Sequence, residues 1–422
     1  MRLHAQPDRS LIRAGASSTR YVRISFTAPE SRSAGARLPV NVALVLDRSG
    51  SMEGEKIALA RSAARQALEL LASDDRFSVV VFDQAVDLLV DSTPATAEAR
   101  RRARNALDHT EARGSTDLCA GWLRGCEQVG LALDDAAVGR CLLLTDGLAN
   151  HGITDQAVLL RHARELRARG VTTSTFGVGE GFDDALLRGI AQRSGGHFYF
   201  LEHPRQIPDL LASEIGESLE IVARRAALIV TLPAGVSAEP LGLHEVRRRN
   251  GAVEIDLGDL VSGQEVEVLV ALRFPRGATG SQAEVRFSVT DREAVLDGTE
   301  ERLVWTRASH AENDGQLRNR VVDRAVAHAF AARARGEATQ HNRAHDLEAA
   351  RRVLRRTARK IRQYAGEDAE LLALADRLDE EGEEFSGRVF EELELKRHAF
   401  ASYAAANTRE PDGRAKRAPR VP

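Results

Sequence analysis

Between residues 40 and 223 short apolar runs alternate with segments of helical periodicity, and this alternation limits the folds open to the chain more than any other feature. The runs are PVNVALVLD (39–47), RFSVVVFD (76–83), VDLLVD (86–91), GRCLLLTD (139–146), VTTSTFGVG (171–179) and GHFYFL (196–201). Their shortness and β-branched content read as strands. The intervening segments 55–71, 96–108, 116–133, 155–170, 183–196 and 204–225 carry apolar stripes at i, i+3, i+4 spacing and read as helices. Strand followed by helix, repeated, implies an α/β fold with a doubly wound, mainly parallel sheet covered on both faces. VDLLVD begins too soon after its predecessor for a crossover, so it is expected as an antiparallel edge strand.

On either side of this unit the pattern changes to simple alternation. RYVRISFTAP (20–29) precedes it, and AALIVTLPAGV, AVEIDLGDLVSG, EVEVLVALRFP, AEVRFSVTD and ERLVWTR lie between 226 and 307. These are expected strands of an antiparallel β-sandwich, separated by Gly and Pro turns. A lone N-terminal strand cannot form a domain, so it is expected to pair with the later strands, making the α/β unit an insertion. The expected division is 1–38 as an N-terminal segment giving a strand to the sandwich, 39–223 as the α/β domain, and 224–308 as the sandwich. A helical region follows at 309–403, and then a disordered tail at 404–422.

Within the helical region, residues 343–362 hold eight Lys/Arg against two acids, and 367–384 hold nine acids against one Arg. Alone, the first segment could be a nucleic-acid helix. Joined to the second by a short turn, it is expected to form an antiparallel hairpin in which the charges neutralise each other. The tail lacks apolar periodicity and is weakly basic.

With 422 residues, 43% of them hydrophobic, and a mean hydropathy of −0.30, the chain can bury two or three cores. Its formal charge of −3 supplies no general attraction to nucleic acid or anionic lipid. No apolar stretch is long enough for a membrane span, and the polar start MRLHAQPDRSLIRAGASSTR lacks a signal-peptide core, so a cytoplasmic protein is expected. Cys119 and Cys126 lie seven apart in an expected helix, too far to bridge, and Cys141 falls in an apolar strand. All three are read as small buried hydrophobes in a reducing compartment.

The chemistry concentrates at strand ends. VALVLD runs into Asp47-Arg48-Ser49-Gly50-Ser51-Met52, placing a carboxylate and two hydroxyls at i, i+2 and i+4. In a doubly wound sheet this carboxyl end opens into the ligand crevice. Gly50 permits the turn, and Ser51 is expected to cap the next helix. Gly114-Ser115-Thr116-Asp117 precedes a helix, and Thr145-Asp146-Gly147 ends the most apolar strand. A hard divalent cation prefers such oxygens, and Mg²⁺ accepts one or two carboxylates with hydroxyls and water. The expected cluster is Asp47, Ser49, Ser51, Thr116 and Asp146, with Mg²⁺ as the ion and Mn²⁺ or Ca²⁺ as alternatives. Asp83 and Asp117 are read as turn and helix-start residues. Asn150, His151, Asp183 and Asp184 are read as rim residues.

DRSGS, the Thr of GST and the TDG triplet resemble the D-x-S-x-S, Thr and Asp pattern of the von Willebrand factor type A (VWA) domain and its metal-ion-dependent adhesion site. The resemblance covers residues 40–223. LLTDGLANHGITD and the composite β-domain look similar to bacterial intracellular type A proteins and to inter-alpha-trypsin inhibitor heavy chains. The resemblance implies that Asp47, Ser49, Ser51 and Thr116 touch the metal directly and that Asp146 often acts through water. It also implies a function, the reversible binding of a partner protein that presents an Asp or Glu to the metal. A second reading, drawn from intracellular relatives, is an adaptor or co-subunit of an AAA+ ATPase or chelatase. A third is RNA binding through 343–362.

An enzyme is not expected. An aspartyl-phosphate chemistry would want a second Asp where Ser49 stands. Nor is there a G-x-x-x-x-G-K-S/T phosphate loop, a G-x-S-x-G elbow or an H-E-x-x-H pair. His109, His151, His162, His197 and His203 are scattered and read as surface or packing residues.

Overall fold

The computed structural model describes residues 2–30, 37–134 and 137–418. Two compact units emerge, one from the chain between Glu30 and Val222 and the other from the segments on either side of it. The second unit begins with β1 (His4–Pro7), β2 (Leu11–Arg13) and β3 (Ser18–Thr27). Sequence patterning anticipated only β3, because the first two strands are too short to show a period.

The inserted unit is an open α/β sheet. Its elements are β4 (Val40–Asp47), α1 (Glu55–Glu69), β5 (Arg76–Phe82), β6 (Val86–Pro94), α2 (Ala97–Asp108), α3 (Leu118–Leu131), β7 (Val138–Thr145), α4 (Gln156–Ala168), β8 (Val171–Val178), α5 (Asp184–Ser194), β9 (Phe198–Leu201) and α6 (Ile207–Leu219). The strand order is β6-β5-β4-β7-β8-β9, parallel except for the antiparallel edge pair β5 and β6. Every residue of β4, β7 and β8 is buried, as a strand covered on both faces requires. From β4 the chain winds to β5 on one side and returns to β7 on the other, so the order reverses at β4 and β7. The crevice beyond their carboxyl ends is the switch point where such sheets bind ligands.

Helix α3 lies unusually close to the sheet. A Cβ at Gly125 would stand 2.2 Å from Val45 Cγ2, and one at Gly121 would stand 2.4 Å from Phe82 Cγ. That close approach sets the height at which the helix presents the preceding loop, including Thr116, to the strand ends. The last helical pattern was expected to reach Arg225, but α6 stops at Leu219 and β10 starts at Ile221. From Ile221 burial changes to the alternation of a sheet, and Arg225 takes a positive φ of 50° that breaks helical continuity.

The flanking segments complete two sheets through β10 (Ile221–Thr231), β11 (Ser237–Pro240), β12 (Val246–Arg249), β13 (Ala252–Val261), β14 (Glu265–Phe274), β15 (Gln282–Thr290) and β16 (Glu300–Ala308). One sheet has the order β1-β3-β14-β11 and the other β12-β13-β10-β15-β16-β2. N-terminal strand β3 runs antiparallel to β14 from Thr27 opposite Glu265 to Ser18 opposite Phe274. Val22, Ile24 and Phe26 of one sheet and Leu228, Val285, Phe287 and Trp305 of the other share a single core, a β-sandwich.

Then come α7 (His310–Gly315), α8 (Arg320–Arg343), α9 (Leu347–Ala365), α10 (Ala369–Gly387) and α11 (Glu392–Ala406). Alanines of α8 and α9 pack against Leu371, Leu374, Leu378 and Phe385 of α10. The oppositely charged helices pair side by side: Arg351 and Arg355 with Glu383, Arg362 with Asp376 and Asp379. The expectation of a disordered tail from residue 404 is corrected through residue 418. Helix α11 continues to Ala406, Glu265 N–H donates to Lys416 O at 2.9 Å, and Ala418 N–H donates to Gly263 O at 3.1 Å. Backbone pairing to the start of β14 holds this segment, so it needs no apolar period. Residues 419–422 lie outside the described residues.

Candidate metal site

Asp47 is the last residue of β4, Thr145 is the last residue of the neighbouring β7, and Asp146 follows it. Asp47 is buried, its Oδ1 accepting from Ser49 N–H at 2.7 Å and its Oδ2 from the Thr145 hydroxyl at 2.5 Å. Burial pushes its carboxyl up to about 6, against the downward pull of the Thr145 and Ser49 hydrogen bonds. A carboxylate held where its charge is poorly solvated favours a cation at its door.

Gly50–Met52 form one 3-10 turn that brings Ser49 and Ser51 to the same side, with their hydroxyl oxygens 3.1 Å apart. Met52 is fully buried and anchors the turn. Ser51 was expected to cap α1; instead the turn intervenes, Gly54 takes the cap position, and the Ser51 hydroxyl donates to Asp146 Oδ1 at 2.6 Å. The other Asp146 oxygen is paired with Lys56, from the first turn of α1.

Thr116 is held by the loop after β7. Its N–H donates to Asn150 Oδ1 at 2.9 Å, and its carbonyl accepts from Asn150 N–H at 3.3 Å and His151 N–H at 3.2 Å. Asp117 caps α3 by accepting from Ala120 N–H, and Asp183 caps α5 through Leu186 N–H. The structure therefore brings Asp47, Ser49, Ser51, Thr116 and Asp146 to one crevice. Gly147 is the common reference point: a Cβ there would lie 3.3 Å from Thr116 Oγ1, 3.6 Å from Ser51 Oγ and 3.9 Å from Asp47 Oδ2. The two carboxylates and three hydroxyls of this crevice form an all-oxygen donor set, which suits a hard divalent ion.

A charged network in the loops that carry the site was not apparent from the sequence. Arg48 and Arg113 both pair with the buried Asp83, at 3.0 and 2.7 Å, and both reach Asp87. Burial pulls the Asp83 carboxyl up, but hydrogen bonds from Arg113 and Ala85 and the charges of Arg48 and Arg113 hold it below the usual carboxylate range. Arg113 N–H donates to Arg48 O at 2.7 Å and Gly50 N–H to Gly114 O at 3.0 Å, tying the first loop to the loop that carries Thr116.

A second group of metal-ligating types was also not apparent from the sequence. His197, Glu214 and Glu217 gather with one potential ligand atom each within 4.8 Å of the others. The Glu214 carboxylate already accepts from the Ser174 hydroxyl at 2.6 Å, the Tyr199 hydroxyl at 2.6 Å and His197 Nδ1 at 3.0 Å. The i, i+3 spacing of the glutamates on α6 was the available signal. Cys119, Cys126 and Cys141 are buried thiols, with burial pushing Cys119 up to about 11 and Cys141 well above the ordinary range.

An open α/β sheet with an oxygen-lined crevice at its switch point defines a class of ligand-binding domain. Residues 41–213 match the family model of the von Willebrand factor type A domain, and the chain therefore carries such a domain. An uncharacterized protein of Synechocystis is 29% identical over 66% of this chain and 69% of its own length. The uncharacterized protein YfbK of Escherichia coli is 27% identical over 63% of this chain and 47% of its own length. Human inter-alpha-trypsin inhibitor heavy chain H4 is 32% identical over 41% of this chain, which is only 19% of that protein. Among solved structures, a von Willebrand factor type A protein from Catenulispora acidiphila superposes with a TM-score of 0.69 at 19% identity, covering 87% of this chain and 88% of that one. The ArnB paralog VWA2 from Sulfolobus acidocaldarius gives 0.60 at 17% identity, covering 96% and 98%. These likenesses establish the fold across both units' elements. Among the described residues, no helix is long and apolar enough to cross a membrane.

Proposed function

We propose that the chain is a metal-dependent protein-binding module, not an enzyme, in which Asp47, Ser49, Ser51, Thr116 and Asp146 hold Mg²⁺ and a partner presents an Asp or Glu to it. The observation that carries this reading is the convergence of Thr116 Oγ1, Ser51 Oγ and Asp47 Oδ2 on the face of Gly147. A bound divalent ion would supply an electrophilic position for an incoming carboxylate oxygen. The chain's own residues do the rest. Asp47 and Asp146 set the charge, the Ser49–Ser51 turn fixes two hydroxyls, and Asn150 holds the Thr116 loop in place. Leu148 and Ile153, 55% and 43% exposed in the loop after β7, offer apolar contact beside the site.

The buried thiols fit a reducing, cytoplasmic setting. Nucleic-acid binding through α9 draws no support, since Arg351, Arg355 and Arg362 are engaged by acids of α10. The test is retention of lysate proteins on the immobilised chain in Mg²⁺, in EDTA, and on an Asp47→Ala chain. A partner lost under both of the last two conditions supports the module. Equal retention in all three would leave the metal without a part in binding.

A further inference from the structure

One carboxylate of the site is already paired with a cation of the chain's own. Asp146 is 1% exposed and has both carboxylate oxygens engaged, Oδ1 by the Ser51 hydroxyl at 2.6 Å and Oδ2 by the Lys56 ammonium. The same ammonium also donates to Ser51 O at 3.2 Å, so it bridges two of the residues assigned to the metal.

The placement of Lys56 on α1 is not explained by the helix. It stands in the first turn, where the helix dipole disfavours a positive charge, and its helical neighbour Glu55 is the residue that suits that end. What favours a lysine here is the pair of buried carboxylates, Asp47 and Asp146, whose charges act on each other. The Lys56 side chain is 31% exposed, so its flexible stem can carry the ammonium into solvent without displacing packed residues.

We propose that Lys56 is a resident counter-ion that neutralises Asp146 in the metal-free protein and competes with the divalent ion for it. This rests on the metal-site reading above. The competition has two consequences. Lys56 stabilises the empty site, so its loops stay formed when the ion leaves. It also weakens metal affinity, because a divalent ion must either displace the ammonium or tolerate a positive charge next to it. The loaded site, with two carboxylates, one divalent ion and a nearby ammonium, then carries a net positive charge that suits an anionic partner.

The experiment is calorimetric titration of Mg²⁺ into the chelator-stripped full chain and into Lys56→Met, Lys56→Gln and Lys56→Arg, with thermal melting of each in EDTA and in saturating Mg²⁺. Loss of the charge should tighten Mg²⁺ binding on the order of tenfold in both neutral variants, and Lys56→Arg should restore wild-type affinity. The neutral variants should melt lower than wild type in EDTA and alike in Mg²⁺. A merely structural lysine would lower both melts equally and leave affinity unchanged, and that result overturns the proposal while leaving the metal site standing. Absence of Mg²⁺ binding by the wild type and all variants would overturn the metal reading, and the competitor with it.

Discussion

The Ser51 hydroxyl donates to Asp146 Oδ1 at 2.6 Å across 95 residues of sequence. This bond joins the loop after β4 to the loop after β7, on opposite sides of the point where the strand order reverses. It explains why a five-residue site scattered between positions 47 and 146 closes over one crevice.

Gly147 keeps that crevice open. Gly147→Ala removes no donor, yet its Cβ would press to 3.3 Å from Thr116 Oγ1. Mg²⁺ affinity should fall severalfold while the melting temperature in EDTA changes by no more than a few degrees. Titration and melting of the variant check both halves, and an unchanged affinity would remove Gly147 from the account.

Asn150 works one step further out. Asn150→Ala deletes the acceptor for Thr116 N–H, whose loss costs about 1 kcal/mol in rigidity of that loop. The expected result is a drop in Mg²⁺ affinity of about fivefold, consistent with that energy. Equal affinity in the variant would show that Thr116 is positioned by α3 alone.

Asp83 gives the fold an acid-sensitive element. Its carboxyl is held below the ordinary value by Arg113 and Arg48, so its contribution is complete above the unfolded value near 3.8 and is lost as pH falls through the lower folded value. Asp83→Asn should melt lower than wild type at pH 7, and the gap should narrow as pH falls below about 4. Arg48 has only 8% of its side chain exposed, so Asp83→Ala, which leaves that charge with half its partners, should destabilise by about 3 kcal/mol. Chemical denaturation at several pH values measures both, and a gap that stays constant with pH would contradict the assignment.

Deleting residues 1–30 removes β1, β2 and β3 together. Val22, Ile24 and Phe26 leave the sandwich core, and β14 becomes an unpaired edge next to β11. At about 1.5–3 kcal/mol for each large buried side chain, the loss exceeds what the sandwich can absorb. The truncated chain should aggregate or lose its cooperative transition. A melt like that of the full chain would show that the later strands stand alone.

Much of the α/β unit was legible because the central buried strands β4 and β7 are mostly apolar, and each runs directly into an acidic residue at its carboxyl end. Asp47, Ser49, Ser51, Thr116 and Asp146 stood out for that reason. Lys56 and Asp83 did not, because a lysine in a helix and an aspartate after a strand are common and their partners are distant in sequence. Strands β1 and β2 were too short to show alternation, and the segment 407–418 is ordered by backbone pairing, which leaves no side-chain pattern. The start of β10 at Ile221 was hidden because the apolar residues Ile215, Leu219, Val222 and Ala223 keep helical spacing past the true end of α6.

Calorimetric titration of Mg²⁺ into the chelator-stripped chain and into Asp47→Ala tests the central claim most directly. The account predicts a single site in the wild type and none in the variant, with the variant still folding cooperatively because the sheet core lies below the loop. A wild type without Mg²⁺ binding, or an Asp47→Ala chain that binds the ion as tightly as the wild type, would contradict it.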